Sequence, residues 1–218
     1  MTATTRKITK AEIDAMEKVY RLNLVNGLSG IKAVNLVGTV SAGNINNLAV
    51  ISSVVHLSSS PALLGFMQRP VTVERHTYRN IHETGEFSVN MVAGYQTASA
   101  HYTSARFSDF QSEFEECGFT PQFFPESKAP CVAESPLKIL LKFEEEYFIR
   151  ASRTILLVGS IQSVYLPPDA VDQSGMVDLE QLQAAGVSGL NTYYSVAKSA
   201  AYSYARVGEF PQNEILKP

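Results

Sequence analysis

The sequence predicts a mainly β (α+β) domain, an antiparallel barrel with peripheral helices, on three observations. Stretches with strand composition outnumber those with helical periodicity. Most neighbouring strands are joined by turns far shorter than a parallel crossover requires. No Gly-x-Gly-x-x-Gly follows a strand, so a doubly wound sheet would lack its usual nucleotide signature.

Taken in order, Thr9-Lys10-Ala11-Glu12 has the form of a capping box, in which hydroxyl and carboxylate satisfy free amides of the first turn. Ile13, Met16, Tyr20 and Leu24 follow at helical spacing, predicting one amphipathic helix that stops near Asn26-Gly27. Residues 1–30 therefore read as an N-terminal helical segment and 31–218 as the barrel domain with a C-terminal extension. Ala33 to Ser41 and Ile45 to Val54 are strands around an Ala42-Gly43-Asn44 turn, a hairpin. His56 to Pro61 reads as a polar turn before the short strand Leu63 to Met67. Glu74 to Glu83 is a helix stopped by Gly85, and Phe87 to Val92 is a strand. Gly94 to Phe107 is polar, rich in alanine and helical, followed by a turn or short helix at Ser112 to Glu116. Four prolines between Pro121 and Pro136 argue for an extended surface excursion. Leu137 to Ile149 and Thr154 to Leu166 are the longest strands, the first alternating close to period two. Asp178 to Ala185 reads as a short helix stopped by Gly186, ahead of a tail rich in tyrosine.

Composition narrows the function. A hydrophobic fraction of 45% and a charged fraction of 18% over 218 residues suit one globular domain. The net charge of −3 gives no reason to expect nucleic acid or an anionic membrane as partner, so a bound anion must be held by local cations. No apolar run reaches the ~20 residues that cross a bilayer, and the polar start does not read as a signal peptide, so a cytoplasmic protein is expected. Cys117 and Cys131 lack metal-like spacing; a disulfide is open to them, although two reduced thiols are the blander reading. The four histidines form no helical ligand pair, and Gly186-Val187-Ser188-Gly189 lacks the spacing of a nucleophile elbow.

What is present lies between Asn46 and Asn90. Hydroxyls cluster between apolar strands, then Arg69, Arg75 and Thr77 lead into a short helix. Hydroxyls and amides suit a flat, hydrogen-bonding ring, and cations at a helix start suit a phosphate. Together these features make the stretch a candidate flavin mononucleotide (FMN) site.

The ordered elements Asn47-Leu48-Ala49, Ser52-Ser53, Ser58-Ser59-Ser60-Pro61, Leu63 to Phe66, Arg75-His76-Thr77, Asn80-Ile81 and Phe87-Ser88-Val89-Asn90 resemble the flavin reductase-like family. His101 to Ala105 and Gly189 to Tyr194 resemble one branch of it, and the likeness spans roughly Val34 to Arg206. The resemblance implies a six-stranded antiparallel Greek-key split barrel, a homodimer, bound FMN and NAD(P)H as a transient substrate. It also implies hydride transfer to the flavin and electrons passed on to an acceptor, the alternative being a flavin-binding or electron-transfer protein without its own nicotinamide site. Because the cofactor carries the hard chemistry, the absence of a catalytic dyad is expected, and no residue is assigned as catalytic.

Onto this sequence the resemblance carries Arg75 and Thr77, with Arg69, as phosphate clamp. The bland alternatives are a solvated cation for Arg75 and a helix cap for Thr77. Ser52, Ser53, Ser58 and Ser59 would face the ring and ribityl chain, or be ordinary turn formers. Asn47 would bond the ring edge or close the hairpin, and His101 and Ser104 would approach from the loop side. Two departures stand out: Ala62 replaces a second proline, and Arg75-His76-Thr77 replaces Lys-Asp-Thr. Arginine grips phosphate with two donors, and the lost aspartate removes a repulsive neighbour.

Overall fold

The computed structural model describes residues 5–212. Two helices, α1 (Lys10–Ala15) and α2 (Lys18–Gly27), precede the strands β1 (Lys32–Ala33), β2 (Asn35–Val40), β3 (Asn46–Ile51), β4 (Val55–Ser59) and β5 (Ala62–Gln68). Helix α3 (His76–Thr84), strand β6 (Glu86–Met91) and helices α4 (Thr97–Tyr102) and α5 (Glu113–Glu116) follow. The chain continues through β7 (Pro121–Phe124), β8 (Ser127–Val132), β9 (Lys138–Ile149), β10 (Thr154–Tyr165), β11 (Ala185–Ser188) and β12 (Thr192–Ser195).

Seven strands form one antiparallel sheet in the order β3-β2-β6-β9-β10-β5-β4. Period two divides its side chains between two cores. On β2, Leu36 joins Val34, Leu48, Val92, Phe114 and Val187 on one face. Val37, next in sequence, joins Phe66, Ile81, Phe87, Leu141 and Leu157 on the other. Helix α3 closes this second core through Ile81, and Gly85 ends the helix at φ +74, where a glycine costs least.

The capping box forms as expected: Glu12 N donates to Thr9 Oγ1 at 3.3 Å, and Thr9 N to Glu12 Oε2 at 2.7 Å. The single N-terminal helix does not. Met16 is extended, and the Glu17 carboxylate accepts from Val19 N and Tyr20 N, starting a second helix. A side chain that caps a new first turn competes with continuation of the old one.

Three further expectations change for physical reasons. His56 to Ser59 belongs to strand β4, paired across a bulge with β5, and the turn shrinks to Ser60-Pro61. That added strand makes the sheet seven-stranded where six were expected. The proline-rich stretch is a β7–β8 hairpin packed on the sheet, with Ala129 to Val132 buried. Pro130 uses its carbonyl to accept from Ser88 Oγ at 2.6 Å, and Val132 N donates to Asn90 Oδ1 at 2.9 Å. Asp178 to Ala185 is no helix: Asp178 Oδ1 draws the amides of Glu180 and Gln181 into turns, and Ala185 opens β11. Gly186 is a packing residue within β11, since a Cβ there would come 2.4 Å from Ile31 Cγ2.

Cys117 and Cys131 are free and buried, and burial pushes each thiol up to about 11. Both are inert thiols at neutral pH.

Candidate functional site

Helix α3 begins without a side-chain cap at Arg75, so its first-turn amides are left to a ligand or water. Arg75 Nε is buried, and among the described residues nothing accepts from it. The other cation of this helix is taken. Arg79 pairs with Glu74, lies 4.0 Å from Glu83 and 3.6 Å from Asp109 Oδ2. His76 Nε2 is 2.7 Å from Asp109 Oδ1. The carboxylate missing from Arg75-His76-Thr77 thus returns through space from the loop after α4, and the acid-free helix start expected from the sequence is not what folds.

Beneath that first turn lies a buried polar network. Asn47 Nδ2 donates to Thr39 Oγ1 at 3.2 Å and to Thr77 Oγ1 at 3.1 Å. Asn80 Nδ2 also donates to Thr39 Oγ1, at 3.2 Å. All four residues are buried, and Asn80 Oδ1 has no partner among the described residues. Buried polar groups must find partners, so this network fixes α3 against β2 and β3.

Strand β3 is an edge of the sheet, yet its outward amides are covered. Leu48 N donates to Glu113 Oε2 at 3.1 Å, and Val50 N to Thr103 Oγ1 at 2.9 Å. Ser52 follows the last residue of β3, where the chain bends away from the strand. Ser52 makes no side-chain hydrogen bond that occupies it among the described residues, whereas Ser53 Oγ is committed to Met67, accepting from its amide at 3.1 Å and donating to its carbonyl at 3.3 Å.

Burial raises the Glu113 carboxyl above its ordinary range, against lowering by the Leu48 amide, its own amide and His76. The unfolded state then loses this proton first as pH rises. Stability from this group is full below the ordinary value of 4.5 and is lost as pH climbs through the raised one. Glu113→Gln keeps an acceptor for Leu48 N without a charge. Thermal melts between about pH 4 and 7 are expected to show the variant gaining on the wild type as pH rises; a constant difference would contradict this.

The remaining candidates divide by position. His101 Nδ1 lies 3.2 Å from Tyr193 Oη with the rings edge to face, and Ser104 Oγ donates to the His101 carbonyl at 2.7 Å. Thr103, between them, ties the end of α4 to Val50 of β3. Arg69 is exposed and follows β5, two residues from the Met67 that holds Ser53. Ser58 and Ser59 lie at the other end of β5, where Ser59 pairs with Ala62. Five residues of strand, roughly 17 Å, separate that turn from Met67. Ser58 Oγ accepts from Ser60 N at 3.2 Å, and Ser59 Oγ is 3.1 Å from His56 Nε2. Glu113 escapes sequence reasoning, because it acts on a strand distant in sequence; Thr103 and Tyr193 lie within the resembling stretches His101 to Ala105 and Gly189 to Tyr194, but nothing local assigns them these contacts.

The flavin reductase-like domain profile matches residues 31–183. The chain belongs to the flavin reductase-like family. A protein from Shewanella frigidimarina, provisionally assigned as a flavin reductase with split barrel domain, shares 38% identity. Its TM-score is 0.89, over 92% of this chain and 100% of that one. Nitrilotriacetate monooxygenase component B from Bacillus cereus has the same fold, at 20% identity and TM-score 0.78 over 90% of this chain and 98% of its own. An uncharacterised Aquifex aeolicus protein is 25% identical over 78% of this chain and 87% of its own length. The fold is therefore the split barrel of flavin reductases, and a flavin-linked redox function follows from the family. Among the described residues no helix is long and apolar enough to cross a membrane, and no three metal-ligating side chains cluster.

Proposed function

We propose that this flavin reductase-like protein binds FMN and is an oxidoreductase that takes hydride from NAD(P)H. The observation that carries the reading is Arg75 Nε, a buried donor without an acceptor, beside the uncapped first turn of α3. A buried guanidinium N–H without an acceptor is costly, and a phosphate would satisfy it together with the free amides.

The residues fit the cofactor. Arg75, Thr77 and the first-turn amides would hold the phosphate, with Arg69 at the rim. The amide and hydroxyl of Ser52 would orient the ring, with His101 and Ser104 on the loop side. When bound, FMN supplies the hydride-accepting ring. The protein's part is to orient that ring and to leave one face open to a visiting nicotinamide.

Anaerobic addition of NADH or NADPH to the FMN-loaded protein is expected to bleach the visible flavin bands. No bleaching with either would overturn the reductase reading and leave a flavin-binding or electron-transfer protein.

We also infer a cytoplasmic homodimer with the helical segment of region 1–30 at its surface, residues 1–4 of that region lying outside the described residues. Helices α1 and α2 bury no residue, and Val19, Tyr20, Leu22 and Val25 are exposed on the second, with Leu28 exposed at its C-terminal cap. Exposed apolar side chains in this number fit a second copy. Sedimentation at micromolar concentration is expected to give a dimer, and a monomer there would refute it.

A further inference from the structure

We infer that Asn47 is a positioning residue that aims the Thr77 hydroxyl proton at the cofactor phosphate, rather than a contact to the flavin ring. The inference rests on the phosphate site proposed above and assigns to Asn47 a role in that site.

Protons of Asn47 Nδ2 and lone pairs of Thr39 Oγ1 in the network under α3 are all matched. The Asn47 Nδ2 group has two protons, and both are used, one on Thr39 Oγ1 at 3.2 Å and one on Thr77 Oγ1 at 3.1 Å. Thr39 Oγ1 has two lone pairs, and both are filled, by Asn47 and by Asn80 at 3.2 Å. Thr39 therefore has no lone pair left for Thr77. Within the network Thr77 accepts and does not donate, and among the described residues its hydroxyl makes no other hydrogen bond. Its proton is left over, on a residue in the uncapped first turn, next in the chain but one to the buried, unpartnered Arg75 Nε. A phosphate oxygen is a strong acceptor for that proton.

Burial makes the arrangement directional. Asn47 is 5% exposed, Thr77 7% and Thr39 0%, so water does not freely replace the Asn47 donation. Without that donation the Thr77 hydroxyl is free to turn inward and donate to the vacated polar space. Asn47 thus acts through Thr77 and touches no cofactor atom itself.

The test uses the full-length protein and compares FMN with riboflavin, which has the same ring and ribityl chain but no phosphate. Dissociation constants come from quenching of flavin fluorescence. In the wild type FMN is expected to bind at least a hundredfold more tightly than riboflavin. Thr77→Val is expected to cut that preference about tenfold, and Asn47→Leu by a similar factor, with riboflavin binding unchanged in both. In the double variant the loss should be no greater than in Thr77→Val alone, because Asn47 has then nothing to aim. Asn47→Asp covers the case in which Asn47→Leu does not fold: a carboxylate accepts only, draws the Thr77 proton inward, and should also lower the preference.

Equal weakening of FMN and riboflavin by Asn47→Leu would overturn the inference, as would independent losses that multiply in the double variant, or an Asn47→Asp protein with undiminished preference. A wild type that does not prefer FMN to riboflavin would instead remove the phosphate site, and this role with it. A Thr77→Val effect without an Asn47 effect would leave the phosphate site standing and remove Asn47 alone.

Discussion

Arg75→Ala is expected to raise the dissociation constant for FMN about 10- to 100-fold while leaving riboflavin binding nearly unchanged. A hydrogen bond to a charged group contributes about 1.5–3 kcal/mol, and each 1.4 kcal/mol is a factor of ten. The size depends on which cations are available. Arg79 is held by Glu74, Glu83 and Asp109, and His76 by Asp109, so neither stands ready to replace Arg75. Loss of the Thr77 hydroxyl in the same protein should add about another tenfold. Fluorescence titration with both flavins checks this. If the Arg75→Ala, Thr77→Ala double variant kept wild-type FMN affinity, the phosphate would lie elsewhere.

Gly38→Ala is expected to lower the melting temperature by roughly 6–12 °C, the second large effect. A Cβ at residue 38 would come 2.1 Å from the Pro130 carbonyl oxygen and 2.5 Å from Ser88 Oγ. Those two atoms are hydrogen-bonded to one another at 2.6 Å, so neither can yield without losing its partner. Overpacking costs typically 1–3 kcal/mol and sometimes more, and a methyl pressed against a backbone carbonyl belongs at the upper end. In a chain of this size each kcal/mol moves the melting point about 2–4 °C. Gly38 precedes Thr39, the hub of the network under α3, so FMN binding should weaken along with stability. A melt within about 2 °C of the wild type would show that β8 can withdraw from β2 at little cost.

Much of the frame was legible from local pattern. The hairpin of β2 and β3, the helix ending at Gly85 and the two long strands each follow from alternation or a stop residue acting within a few positions. What failed were stretches where a particular pairing, near or distant in sequence, overrode composition. Ser58 and Ser59 have turn chemistry, but pairing with β5 makes their segment a strand. Four prolines suggest exposure, yet the Pro130 carbonyl finds a donor in the Ser88 hydroxyl and the Val132 amide an acceptor in Asn90 Oδ1, which lets that segment lie against the sheet. In the N-terminal helix the periodicity was real, but one capping carboxylate at Glu17 divided it.

The site divides in the same way. Sequence alone determined which residue types could hold a phosphorylated ring and in what order, because the Arg75-His76-Thr77 helix start and the serine turns are contiguous motifs. Only the tertiary structure decided which of those groups are free. It commits Arg79 and His76 to Asp109, Ser53 to Met67 and the Asn47 amide to Thr39 and Thr77. It leaves Arg75 Nε without an acceptor among the described residues. The physical reason is that a hydrogen-bonding group is defined by its residue type, but its availability is defined by neighbours brought from elsewhere in the chain. Asp109, Glu113 and Thr103 act on α3 and β3 across thirty or more residues of sequence, a separation that no local motif encodes.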